Sequence, residues 1–189
     1  PQTPVSTLQV AYPSAQVAGD LNVVVVGWND KTAQVTSVSD SKGNVYALAV
    51  GPTVLPGTLS QSIYYAKNIA AGANTVTVSF NIAAQYVDVR VGEYSGLDTA
   101  APLDVTAVGA GNGVTATTAN ATTTGTTDLL VSGAMVTSWI SAAGAGHTLR
   151  FITQPDSDLL QDRVVTTPGA YSATAPLGGS GGWVIQMAA

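Results

Sequence analysis

The stretch Val87-Asp88-Val89-Arg90-Val91-Gly92-Glu93-Tyr94 decides the fold class. Valine recurs at every second position, with Asp88 and Arg90 between. A period of two sends successive side chains to opposite faces, so the stretch reads as a half-buried β-strand. On that parity Asp88 and Arg90 form the polar face, and Glu93 shares the face of the valines.

The same texture extends outward. Leu8, Val10 and Tyr12 alternate with polar or small residues in a first strand. Leu21 to Trp28 is a strong strand, and Asn29-Asp30-Lys31 after it reads as a turn. Further strands are expected over 34–39, 45–50, 62–69, 75–81, 115–124, 129–136, 148–153, 160–166, 171–175 and 183–187. Gly, Pro, Asn and Asp punctuate them, as at Asp40-Ser41-Lys42-Gly43-Asn44. Gly51 to Gly57 carries two prolines and reads as a loop. No window shows a 3.6-residue period, so an all-β chain is expected.

The two halves echo each other in constant order. Asp20-Leu21-Asn22-Val23 returns as Asp128-Leu129-Leu130-Val131, and Gly43-Asn44-Val45-Tyr46 as Gly146-His147-Thr148-Leu149. Gly72-Ala73-Asn74-Thr75 returns as Gly169-Ala170-Tyr171-Ser172, and Tyr86-Val87 pairs with Trp183-Val184. The chain is therefore expected to be one antiparallel two-sheet β-sandwich over 1–189, of jelly-roll or Ig-like type, with an internal duplication relating about 18–96 to 126–189. Val23 to Val26 is apolar on both faces, where a two-layer sandwich should present one face to water. Either a loop or another subunit is expected over the outer face.

Composition removes most catalytic chemistry. There are six Lys plus Arg against eleven Asp plus Glu, a formal charge of −5, one His, one Glu and no Cys. A Cys nucleophile or a His/Cys zinc site lacks its residues, and general acid–base work has few groups to draw on. No enzyme is expected. Six scattered cations make no basic stripe, which argues against nucleic acid. No apolar run approaches the ~20 residues of a spanning helix, so no membrane insertion is expected. The chain opens at Pro1 without a signal peptide, which fits a mature secreted product or a trimmed chain. The Thr-, Ser- and Gly-rich, charge-poor character points to an extracellular or cell-surface location.

Several runs carry a resemblance: Ala18-Gly19-Asp20-Leu21-Asn22-Val23, Tyr64-Tyr65-Ala66-Lys67-Asn68-Ile69, Glu93-Tyr94-Ser95-Gly96-Leu97-Asp98, Ala101-Pro102-Leu103-Asp104-Val105 and Pro168-Gly169-Ala170-Tyr171. Together they resemble a bacterial secreted or surface β-sandwich module, Ig-like or carbohydrate-binding-module-like, of the kind found beside Ig-like or carbohydrate-active domains. The resemblance implies fold and location, and no catalytic residues.

Candidate sites follow from the few residues with chemistry. Trp139, among small polar neighbours, is the best exposed aromatic for stacking on a sugar ring, with Tyr64, Tyr65 and Tyr94 as further candidates. Adjacent Tyr64 and Tyr65 cannot share a face of a strand. Asp156, Asp158 and Asp162 form the densest acidic cluster, a candidate Ca²⁺ site or a polar turn after Pro155. Asp98 and Asp104 flank a loop that offers a second cation site, sugar-hydroxyl acceptors or turn chemistry. Glu93 reads as a structural carboxylate at a sheet rim, and His147 as a turn residue.

Two functions compete. One is a non-enzymatic extracellular module that binds a polysaccharide or another cell-surface component. The other is a structural subunit of a fibre or surface layer that joins copies of itself through edge strands or a donated N-terminal strand.

Overall fold

The computed structural model describes residues 1–30 and 32–189; Lys31, read above as a turn residue, lies outside them. The described residues form fourteen strands and no helix. They are β1 (Val5–Ala11), β2 (Leu21–Trp28), β3 (Val35–Asp40), β4 (Ala47–Leu55), β5 (Leu59–Ala66), β6 (Thr75–Ala84), β7 (Asp88–Tyr94), β8 (Thr106–Thr117), β9 (Ala121–Thr122), β10 (Asp128–Val136), β11 (Thr148–Ile152), β12 (Leu159–Val165), β13 (Ala170–Tyr171) and β14 (Thr174–Ala188). The strand expected over 115–124 lies instead over Thr106–Thr117, with a short one at Ala121–Thr122, and two further departures stand out. β4 continues through the proline-bearing segment to Leu55, and the last strand starts at Thr174 rather than Trp183.

Every pairing is antiparallel. The orders are β1-β6-β3 in a first sheet, β4-β5-β2-β7 in a second and β11-β12-β10-β14-β8 in a third, with a two-stranded ribbon β13-β9. The alternation of β2 explains how the sheets stack. Val24, Val26 and Trp28 point to the first sheet and meet Val76, Val78 and Phe80. The Trp28 and Phe80 rings meet edge-on at 5.5 Å, and Trp28 Nε1 donates to the Ala33 carbonyl at 3.1 Å.

The odd-numbered side chains Leu21, Val23 and Val25 point the other way, where they cluster with Val131 and Leu160 of the third sheet. Neither a loop nor another subunit covers the doubly apolar run: the second half of the same chain does. The far side of the third sheet packs on Ile140, Leu177, and Ala121 and Tyr171 of the ribbon. The layers thus outnumber the two sheets expected.

Between the second and third sheets the backbones approach closely. A Cβ on Gly133 would stand 2.6 Å from Val25 Cγ1, and Gly27 is crossed by the Met135 side chain. Each glycine receives a large residue of the opposing strand.

This seam also buries Asp88 and Arg90, which the sequence reading placed on a polar face. Arg90 Nη1 donates to the Ala134 carbonyl at 2.9 Å and the Leu159 carbonyl at 2.7 Å. Its Nη2 donates to Gln61 Oε1 at 3.1 Å. Its Nε lies 2.8 Å from Asp88 Oδ1 as an ion pair without an aligned hydrogen bond. Gln61 Nε2 donates to the Gly133 carbonyl at 2.8 Å, and Gln186 Nε2 to the Gln61 carbonyl at 2.8 Å. A buried charge persists only when paired and hydrogen-bonded, and these contacts supply that.

Candidate ligand-binding cleft

At the end of the seam where β2 and β10 begin, the second and third sheets part around an open cleft of about 460 Å³. Its apolar lining includes Leu21, Tyr65, Leu97, Pro102 and Leu103; its polar lining includes Asp98, Asp104, Thr124, Thr126, Thr127 and Asp128. Strand parity brings Tyr65 here: it pairs with Val23 and shares that residue's side. Tyr64 pairs with Val24 and packs toward the first sheet instead.

Two loops complete the cleft, and each is held by an aspartate. Asp98 Oδ1 accepts from the Ala100 and Ala101 amides at 2.7 and 3.2 Å. Those bonds hold its carboxyl below the ordinary range, with Lys67 assisting. Lys67 Nζ also donates to the Ala100 carbonyl. Asp104 accepts from the Thr124 amide at 2.7 Å and the Thr124 hydroxyl at 2.8 Å, which lower its pKa in turn. The Asp104 amide donates to the Ala189 carbonyl at 2.7 Å, fixing the last residues beside the cleft. Asp128 sits under Gly125, where any Cβ would collide with the carboxylate. Its Oδ2 is shielded and has no hydrogen-bond partner. The arrangement offers the spare lone pairs of exposed Asp98 and Asp104 and Thr hydroxyls beside one aromatic ring and a few aliphatic side chains. It can hydrogen-bond hydroxyls while an apolar face rests on Tyr65.

The four aromatic candidates are not gathered into one patch. Trp139 is 52% exposed, as expected for a stacking residue. Its ring lies over Gly178, whose amide donates to the Trp139 carbonyl at 2.9 Å. It stands three residues past the end of β10, whereas Tyr94 pairs with Leu21 at the start of β2 and lies near Asp162, its pKa raised by burial and then by that carboxylate's charge. Val131, the β10 partner of Asp162, marks the opposite end of that strand from Trp139.

The acidic cluster dissolves on inspection. Asp162 is buried and ion-paired with Arg150 at 2.5 Å. Asp158 is buried in the seam and accepts from the Val136 amide at 3.1 Å, and Asp156 accepts from the Gln2 side chain at 3.3 Å. Alternation along β12 and its preceding turn sends these carboxylates to different partners. The structure separates Asp156, Asp158 and Asp162, named above as a candidate Ca²⁺ site: among the described residues no group of three metal-ligating side chains converges.

The single Glu and the single His lie outside the cleft. Glu93 Oε1 accepts from the Val17 amide at 2.8 Å. Burial lowers the pKa of His147, whose Nδ1 lies 3.3 Å from the Ala145 carbonyl. Burial raises that of Asp158, Arg90 opposing and Asp88 adding to the shift. Asp88 and Asp156 both add to the Asp158 shift, and none of the three lines the cleft.

Sequence reasoning named Tyr65, Asp98 and Asp104 without seeing that they meet. It missed Asp128 and the threonines beside it, although Gly125 between Thr124 and Thr126 marked a close approach. No protein-family model, curated protein or solved structure matches the chain.

Proposed function

We propose that this chain is a non-enzymatic extracellular module that binds a polyhydroxylated ligand, a polysaccharide or cell-surface glycan, in the cleft beside Tyr65. The observation that carries the reading is the joint presence in that cleft of Tyr65, three aspartates and three threonines. Hydroxyl-rich ligands need several acceptors and donors beside one apolar platform, and affinities of such open sites are on the order of micromolar to millimolar. Trp139 is then a structural residue over Gly178 and not the centre of the site.

The scaffold reading that accompanies this is a duplicated β-sandwich, two units packed back to back. Its support is register. Val25 pairs with Ile63 and Arg90, while Gly133, 108 residues after Val25, pairs with Leu160 and Gln186. The register of β4 breaks between Leu48 and Val50, and that of β11 between Leu149 and Phe151. These registers shift two of the sequence echoes: Leu48 rather than Tyr46 aligns with Leu149, and Val87 rather than Tyr86 with Trp183.

Isothermal titration calorimetry against soluble polysaccharides tests the binding reading. Tyr65→Ala is expected to weaken binding at least about tenfold, the loss of a well-packed aromatic contact. Trp139→Ala is expected to leave it unchanged. Full retention of affinity in Tyr65→Ala, or its loss in Trp139→Ala, refutes the assignment.

A further inference from the structure

The strand orders of the second and third sheets differ in one place. β14 has β10 on one side and β8 on the other, with Thr106–Gly113 paired along Gly181–Ala188. β7 holds the matching position beside β2, and among the described residues its other side has no strand. Among the described residues no turn, loop or side-chain hydrogen bond reaches the β7 backbone there. A groove of about 890 Å³ runs along this edge, with Val89 to Leu97 lining it without a break.

The groove has apolar walls on both sides. Val10, Ala11 and Pro13 form one; Leu129, Phe151 and Leu160 are in the other, with Val164. Three of its charged side chains are engaged already, Arg90 in the seam, Glu93 with the Val17 amide and Arg150 with Asp162; the fourth, Asp128, lines both this groove and the cleft. What remains on offer is a row of backbone donors and acceptors between apolar walls. That complements an extended peptide and not a sugar, which needs polar side chains.

We propose that the free edge of β7 is a strand-acceptor site, filled by an extended segment of a partner polypeptide that pairs antiparallel with Val89–Tyr94. The chain itself shows what such a segment looks like. Thr106-Ala107-Val108-Gly109-Ala110-Gly111-Asn112-Gly113 is uncharged and rich in small residues, and it fills the corresponding place beside β14. Small residues suit a slot closed on both sides. A second copy is the poorer occupant. The segment it would donate is already paired within its own sheet, and each copy carries a charge of −5.

The test uses the full chain and a synthetic peptide with the sequence of residues 106–113. Binding is read by calorimetry and by amide hydrogen exchange in NMR. The peptide is expected to bind with a dissociation constant on the order of 10–100 μM. It should protect alternate amides between Val89 and Tyr94, those facing away from β2. Val164→Glu and Phe151→Glu change wall residues that are 61% and 51% exposed. They should keep the fold, checked by an unchanged melting temperature, and weaken binding about tenfold or more. No binding up to about 1 mM overturns the proposal, as does protection elsewhere with β7 unprotected. A dimer of the chain alone, dissociated by the same two variants in sedimentation, assigns the slot to a second copy and overturns the partner assignment.

Discussion

The two faces of the sheet β4-β5-β2-β7 are held by different chemistry. Toward the first sheet the contacts along Val24–Trp28 are aliphatic and aromatic, with Val24, Val26, Trp28, Val76, Val78 and Phe80 interlocked, and polar bonds gather at one end around Asn22, Tyr46 and Asp40. Toward the third sheet Val25 and Met135 alternate with Arg90, Asp88, Gln61 and Gln186. The apolar face tolerates small sliding, because dispersion and hydrophobic burial are non-directional. The polar face does not. Arg90 reaches the Ala134 and Leu159 carbonyls at one register only, so a slip would strand a buried charge. The first face supplies bulk stability, and the second fixes how the two halves of the chain sit. That fixed seam places the loops of the cleft opposite Tyr65.

The sharpest way to break this contrast is Arg90→Ala. It leaves Asp88 unpaired and removes the side-chain donor to two carbonyls, and the expected loss is about 3–5 kcal/mol in urea denaturation. A loss under about 1 kcal/mol would show that the seam is held by its apolar contacts alone.

Asp158→Asn probes the same seam through pH. The folded-state pKa of Asp158 is raised, so the folded chain holds a proton that the unfolded chain releases. Stability from this group is full below the ordinary value near pH 4 and declines as pH rises toward the raised value. The Asn variant keeps the acceptor for the Val136 amide and loses the slope. Its stability relative to the parent should therefore grow between about pH 4 and pH 7. Parallel pH profiles for the two proteins would contradict the buried protonated carboxyl.

Gly133→Ala drives a methyl against Val25 and should cost about 1–3 kcal/mol, as overpacking does. Gly179→Ala, with open space around the new methyl, should change stability by less than about 0.5 kcal/mol. Equal effects on thermal melting would dismiss close approach as the reason for glycine in the seam. The effect of a single hydrogen bond is read at the end of the first sheet, where Tyr46 donates to Asp40 Oδ2 at 3.0 Å and accepts from Asn22. Tyr46→Phe should cost about 1 kcal/mol, the net worth of such a bond. A larger loss than that of Arg90→Ala would reverse the ranking of the two faces.

Strand identity was legible because side-chain alternation is local. Leu21–Trp28 was bounded as the structure has it. The burial of Asp88 and Arg90 was not legible, because parity tells which residues share a face and not what lies beyond it. The run Val23–Val26 carried the missing information: its second apolar face required a cover, which a distant segment of the same chain supplies. The cleft was half legible for a similar reason. Asp98 and Asp104 were visible as loop aspartates. Their convergence with Tyr65 and Asp128 depends on two loops some twenty residues apart meeting at the end of the seam. The separation of Asp156, Asp158 and Asp162 was not legible, because spacing does not reveal that Arg150 and the Val136 amide already engage two of the three carboxylates.

The ligand-binding reading is tested most directly by NMR titration of the isotopically labelled chain with soluble glycans. Chemical-shift changes are predicted for the amides of Leu97 to Asp104 and Thr124 to Leu129 and for the Tyr65 ring, with Trp139 Nε1 unmoved. Changes centred on Trp139, or none anywhere at millimolar glycan, would contradict it.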